Sequence, residues 1–319
     1  MNKLLIGIDG TGPLETHAYL KDTAGGFISR MCNSSDGRNA CGAFGVTARY
    51  FRGPTTLGLE STGIACSVVR SIASSLVPTR QQNLLEKVSA RLHPVEMMEE
   101  RLRNVSQFYQ DGIFLAGYSR GCHIAIAVAR ALNAARVSVK SMFLFDSVDR
   151  DIGMNSRYVP GNVESLFHAM RDDGTNSRWY FGHSGREWKR GDDVGKKICF
   201  VPSETVWKGS HAALGGLPWE GDKPRQHRIS VAATLARSAV KTAGIVSNWD
   251  PVTQRTLTSI SDGMLNPLTL SEEQDIAAST AVYEWMRKNT NLFGIDWSWD
   301  YQLGRAQRRN AGGGGGASW

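Results

Sequence analysis

Gly112-Ile113-Phe114-Leu115-Ala116-Gly117-Tyr118-Ser119-Arg120-Gly121-Cys122-His123 is a short apolar run that ends in Gly-x-Ser-x-Gly and opens into an Ala-rich segment. Its order predicts strand, sharp turn, helix. Ile113 to Ala116 has the make-up of a buried strand, while Ile124, Ala125, Val128, Ala129 and Leu132 recur at helical spacing. A serine on such a turn presents its hydroxyl outward, and the flanking glycines let strand and helix backbones come close. The stretch predicts an α/β fold and makes Ser119 the first candidate for a covalent catalyst.

Outward from that stretch the same alternation continues. Lys3 to Ile8 reads as a buried strand followed by the turn Asp9-Gly10-Thr11-Gly12-Pro13. Residues 22–63 are rich in Gly, Ser, Asn and Thr with little periodicity, and they predict a long loop over the face that carries Ser119. Ile64, Val68, Ile72 and Leu76 have helical spacing, and Gln81 to Val105 predicts one or two amphipathic helices broken at Pro94. After the Ser119 helix, Val137 to Phe145 is an apolar strand that stops at Asp146. Ile198 to Val201 and Thr205 to Trp207 are further strand candidates, and Ile229 to Ala243 and Glu273 to Arg287 are helical stretches. The organisation expected is one domain over residues 1–305, with a loop insertion around 22–63 and a flexible Gly-rich tail at 306–319.

Composition narrows the class. At 319 residues and 41% hydrophobic content the chain can bury one large core. No apolar run approaches the ~20 residues of a membrane span, and Met1 to Asp9 is too short and too soon acidic for a signal peptide. A protein made in the cytoplasm is expected, with any export left to a specialised secretion system. Five cysteines (Cys32, Cys41, Cys66, Cys122, Cys199) form no Cys-x-x-Cys pair, which points away from a zinc site or a disulfide framework. The 37 basic and 30 acidic residues leave a net charge of +7. Basic residues gather in Arg178 to Lys197, in Lys223 to Arg228, and at Arg305, Arg308 and Arg309. Such groups favour anionic lipid headgroups or nucleic acid, although interspersed acids (Glu187, Asp192, Asp193) also fit an ordinary solvated surface.

A serine hydroxyl is a weak nucleophile at neutral pH, so Ser119 needs a base, and the base needs an acid that fixes its tautomer. Asp146 ends the strand Met142-Phe143-Leu144-Phe145, on the sheet edge expected to carry Ser119; Asp149 and Asp151 are its near rivals. Among seven histidines, His211 stands in a loop of small residues just after a strand, in Val206-Trp207-Lys208-Gly209-Ser210-His211-Ala212-Ala213-Leu214-Gly215-Gly216. His168, in a segment that reads as helical, is the runner-up. His123, one turn into the elbow helix, reads as a packing residue, and His17, His93, His183 and His227 have no comparable setting. Acyl transfer also needs N–H donors at the developing oxyanion. The backbone of Arg120 supplies one candidate, and Gly10 or Thr11 in the turn after the first strand supplies another.

Taken together, Gly7-Ile8-Asp9-Gly10-Thr11-Gly12, Gly117-Tyr118-Ser119-Arg120-Gly121, Phe145-Asp146-Ser147-Val148, His168-Ala169-Met170 and the His211 loop resemble an α/β-hydrolase family that includes the type VI secretion phospholipase effectors. The resemblance runs from residue 6 to about 217. It implies a three-layer α/β sandwich with a mostly parallel sheet flanked by helices, and an esterase or phospholipase with Ser119 as nucleophile, Asp146 as acid and His211 as base. Two positions depart from the family pattern. Ala213 stands where an acidic residue follows the histidine by two, which removes a polar support for the loop, and Ser147 stands where threonine is usual.

The function expected is hydrolysis of carboxylic esters, above all lipid or phospholipid acyl esters, through an acyl-enzyme and without a metal or organic cofactor. Trp179, Tyr180, Trp207 and Trp219 read as core or rim packing before they read as an acyl-binding surface. The expected partners are a lipid or small ester substrate and peripheral contact with an anionic membrane. The alternative is a non-catalytic binding protein on the same fold that holds an anionic partner such as nucleic acid through its basic segments. The order of serine, acid and histidine weighs against it, and nucleic acid is not the expected partner.

Overall fold

A computed structural model describes residues 2–12, 25–32, 46–55, 60–74, 94–149, 158–172, 182–183, 187–188, 199–200, 206–218, 270–300 and 302. Its strands are β1 (Lys3–Ile8), β2 (Val46–Phe51), β3 (Ile113–Tyr118), β4 (Ser141–Phe145), β5 (Val148–Asp149), β6 (Tyr158–Val159), β7 (Ser165–Arg171), β8 (Gly182–His183), β9 (Glu187–Trp188), β10 (Cys199–Phe200) and β11 (Val206–Trp207). The helices are α1 (Phe27–Cys32), α2 (Ser61–Ala73), α3 (Pro94–Phe108), α4 (Arg120–Ala134), α5 (His211–Leu214) and α6 (Glu272–Asn291).

The main sheet runs β10-β7-β4-β3-β1-β2 with every neighbouring pair parallel, and β11 pairs in parallel with the C-terminal end of β7. Parallel strands need covered faces, and alternate side chains enter two separate apolar cores. Leu4, Ile6, Leu115 and Leu144 pack with α2, α3 and α4 on one face. Leu5, Phe114, Phe143 and Phe167 pack with α1, α6 and the Ile295 and Trp297 segment on the other. The result is a three-layer α/β sandwich. From β1 the chain first adds β2 on one side, then returns to place β3 on the other. In open α/β sheets ligands bind at such a reversal, which here lies at the C-terminal ends of β1 and β3.

Several expectations change. The stretch 22–63 is not a plain loop: it contains α1, the edge strand β2 and the first turn of α2. His168 lies on strand β7 rather than on a helix. Its segment is buried on both faces, so its apolar residues run nearly without interruption and period alone does not separate strand from helix. The expected break at Pro94 is where α3 begins, as the proline's missing N–H allows. The strand before Asp146 is confined to Ser141–Phe145. Residues 81–93, the helical stretch Ile229 to Ala243, Pro13, Asp151, Trp179, Tyr180, Trp219, the basic segment Lys223 to Arg228, Arg305, Arg308, Arg309 and the tail 306–319 lie outside the described residues, as does all of Arg178 to Lys197 except β8 and β9. Among the described residues, no helix is long and apolar enough to cross a membrane.

Candidate active site

Four strand ends place the site. Asp9 follows β1, Ser119 follows β3, Asp146 follows β4, and His211 follows β11, all on the C-terminal edge of one parallel sheet. Ser119 has φ 56° and ψ −124°, a left-handed conformation that a serine adopts only under constraint. The constraint is visible. Its N–H donates to the Phe145 carbonyl at 3.0 Å, and its own carbonyl accepts from the Cys122 N–H at 3.2 Å. Gly121 makes the turn possible, because a Cβ there would lie 2.2 Å from the Ile8 carbonyl oxygen. Only glycine lets α4 start this close to β1.

Asp146 is held in a second left-handed turn, φ 44°. Its N–H donates to the Ala169 carbonyl at 2.7 Å, and the next N–H, of Ser147, donates to His168 Nε2 at 3.2 Å. His168 thus shapes the turn that carries Asp146.

The three expected groups meet. His211 Nε2 lies 2.8 Å from Ser119 Oγ, and His211 Nδ1 lies 2.5 Å from Asp146 Oδ2. All three residues are buried. With Nδ1–H given to the carboxylate, Nε2 is left as the acceptor for the serine proton. Asp146 Oδ1 accepts the backbone N–H of Arg171 at 3.2 Å, and the Arg171 Nη1 stands 3.5 Å from Oδ2.

His211 does not ride on an open loop: it is the first residue of α5, capped by Ser210, whose Oγ accepts the Ala213 N–H at 3.0 Å. The polar support missing at Ala213 comes from α6. Asp275, itself buried, accepts the Ser210 N–H at 2.7 Å and the Ser210 hydroxyl at 2.8 Å, while the Ser279 hydroxyl donates to the Ala213 carbonyl at 2.7 Å. From the other side the Tyr118 hydroxyl donates to the His211 carbonyl at 3.0 Å, and its ring stacks on the imidazole with centroids 5.0 Å apart. Sequence reasoning missed Asp275, Ser279 and Arg171. Ser210 was readable, since a serine before a run of small helix formers is an N-cap signal; a buried aspartate in the acidic first turn of α6 is not distinguishable from its exposed neighbours.

The remaining candidates sort by contact. Arg120 is the first residue of α4, so its N–H belongs to the helix N-terminus beside Ser119, where partial positive charge accumulates. Its buried guanidinium turns away, donating to the Thr55 carbonyl at 3.1 Å and reaching Ser61 Oγ at 3.4 Å. Gly10 closes on Ser119: a Cβ there would lie 3.2 Å from Ser119 Cβ. Its N–H donates to Asp9 Oδ1 at 2.8 Å, so service at an oxyanion requires that bond to be exchanged. Thr11 follows, half-buried. Asp9 also accepts from the Tyr50 hydroxyl at 2.9 Å, yet burial outweighs both donors and pushes its carboxyl up to about 6. Under the elbow, burial drives the Cys122 thiol far above its usual range, which keeps it neutral and unreactive. Among the described residues, no cluster of three or more His, Cys, Asp or Glu could hold a metal ion. Asp149 lies in β5, and His123 is fully buried in α4.

No family model matches this chain, and no curated protein matches it either.

Proposed function

We propose that this chain is a serine hydrolase of carboxylic esters, with Ser119 as nucleophile, His211 as general base and Asp146 as the acid that orients it. One observation carries the reading: the unbroken line Ser119 Oγ, His211 Nε2, His211 Nδ1, Asp146 Oδ2, with contacts of 2.8 and 2.5 Å. Residues kept only for packing have no reason to meet end to end on a strained turn at the ligand-binding edge of a sheet. This weighs against the non-catalytic alternative.

In the reaction, Ser119 Oγ bonds to the ester carbonyl carbon while its proton passes to His211 Nε2. The resulting oxyanion faces the N-terminus of α4, where the Arg120 N–H is the nearest candidate donor, with Gly10 or Thr11 as the second. Collapse breaks the bond to the alkoxide, which leaves with the proton from His211 and yields an acyl-enzyme. Water then adds to the acyl carbon, giving a proton to His211, and the acid departs as Ser119 recovers its proton. Each half-reaction returns the site to its starting protonation.

The narrower substrate class, lipid or phospholipid acyl esters with action at anionic membranes, rests on the resemblance of the sequence motifs to the type VI secretion phospholipase effectors. Export by such a system rests on the same resemblance. The experiment for the general reading is covalent labelling by a fluorophosphonate probe, with the labelled residue located by mass spectrometry. Comparison of a soluble short-chain ester with phospholipid vesicles then tests the narrower class.

A further inference from the structure

We infer that Arg171 is a positioning residue that balances the charge of Asp146 and thereby sets the pH range over which His211 is a free base. The inference rests on the serine-hydrolase reading and deepens it. Arg171 is the last residue of β7, the strand next to the one that delivers Asp146. Its backbone N–H donates to Asp146 Oδ1 at 3.2 Å, and its guanidinium Nη1 stands 3.5 Å from Oδ2, the oxygen that also meets His211. The arginine and aspartate side chains are 2% and 0% exposed, so little water screens them.

A carboxylate buried this deeply is costly without a compensating charge, and an arginine provides one at every accessible pH. In a triad without such a cation, protonating the histidine neutralises the lone carboxylate, which favours the imidazolium. Here the carboxylate already faces a cation. Protonating His211 adds a positive charge to a balanced pair, so the imidazole releases its proton at a lower pH than the same site would without Arg171. Other ionisable groups face this cluster from each surrounding element. Tyr118 of β3 stacks on the ring, and Cys122 of α4 holds a neutral thiol. His168 of β7 reaches the Asp146 turn through the Ser147 N–H, Asp275 of α6 binds Ser210, and Asp9 after β1 lies in the loop against Ser119. None of these is removed by a change at Arg171, so its effect can be read separately.

The test is the pH dependence of fluorophosphonate labelling in wild type, Arg171→Met and Arg171→Lys. Labelling reports the base directly and involves no titrating substrate. In Arg171→Met the acid limb should move up by ~1 pH unit or more, the size expected for loss of an opposite charge beside a carboxylate. In Arg171→Lys, which keeps the charge, it should stay near wild type. A purely structural arginine would lower the rate at all pH values without moving the limb, and that result in folded Arg171→Met overturns the inference. So does an equal shift in both variants. Arg171→Gln, which keeps a planar hydrogen-bonding head without the charge, should shift the limb as Arg171→Met does, and a limb left at the wild-type position in folded Arg171→Gln overturns the inference. Wild type that fails to label at any pH defeats the hydrolase reading itself, whereas labelling with an unmoved limb defeats the role of Arg171 alone.

Discussion

Asp275→Asn tests how far the base depends on a helix that begins about sixty residues downstream in the chain. The carboxylate takes two hydrogen bonds from Ser210, at 2.7 Å from its N–H and 2.8 Å from its hydroxyl. Asparagine keeps the shape but offers one acceptor oxygen in place of two, and no charge. One bond is lost or reversed and the other loses its charge assistance, a loss of about 2 kcal/mol. Ser210 is both the cap of α5 and the residue before His211, so relaxation of the cap moves the imidazole. A displacement near 1 Å costs on the order of a hundredfold in rate. We expect kcat for a short-chain ester to fall tenfold to a hundredfold with KM little changed, the Ser119 labelling rate to fall in parallel, and melting to drop by only a few degrees. Hydrolysis, labelling and circular dichroism melts on the same preparation measure all three. Wild-type labelling in a folded Asp275→Asn protein would show that α6 does not hold the base.

Two further outcomes follow from the geometry. Ser119→Ala and His211→Ala should each reduce ester hydrolysis by several orders of magnitude, and the double variant should be scarcely worse than either, because the pair acts as a unit; steady-state kinetics on the three proteins decides it, and additive losses would separate the two residues. Asp9 bears on stability: its carboxyl is raised from 3.8 to about 6, so the folded state prefers it protonated. That preference is worth about 3 kcal/mol, fully present below the unfolded value and lost as pH rises through the folded one. Denaturant midpoints should therefore fall less between pH 4 and 6.5 in Asp9→Asn than in wild type, and parallel pH curves would contradict the assignment.

The sequence carried much of this site because each triad residue lies just beyond a strand, where a short apolar run followed by a polar or small residue leaves a local trace. Ser119 after Ile113–Tyr118 and Asp146 after Ser141–Phe145 are such cases. His211 was readable for its place after a strand, while the short helix it opens was missed because its small residues read as a loop despite the cap signal at Ser210. β2 and α1 were hidden because each is only a short run set among glycine, serine and asparagine, and an edge strand such as β2 is largely half-buried. The supports of the site left no local trace. Arg171 closes on Asp146 from 25 residues away and Asp275 on Ser210 from 65 away, and a charged residue committed to a buried partner is spelled like one facing water. Tertiary packing alone distinguishes them.

Whether Ser119 is an activated nucleophile is read from intact-mass and peptide analysis after treatment with a fluorophosphonate probe. One adduct per chain is expected, located on Ser119, formed by wild type at neutral pH, absent from Ser119→Ala and suppressed in His211→Ala. Folded wild-type protein that takes up no probe, or an adduct that persists on another residue in Ser119→Ala, would contradict it.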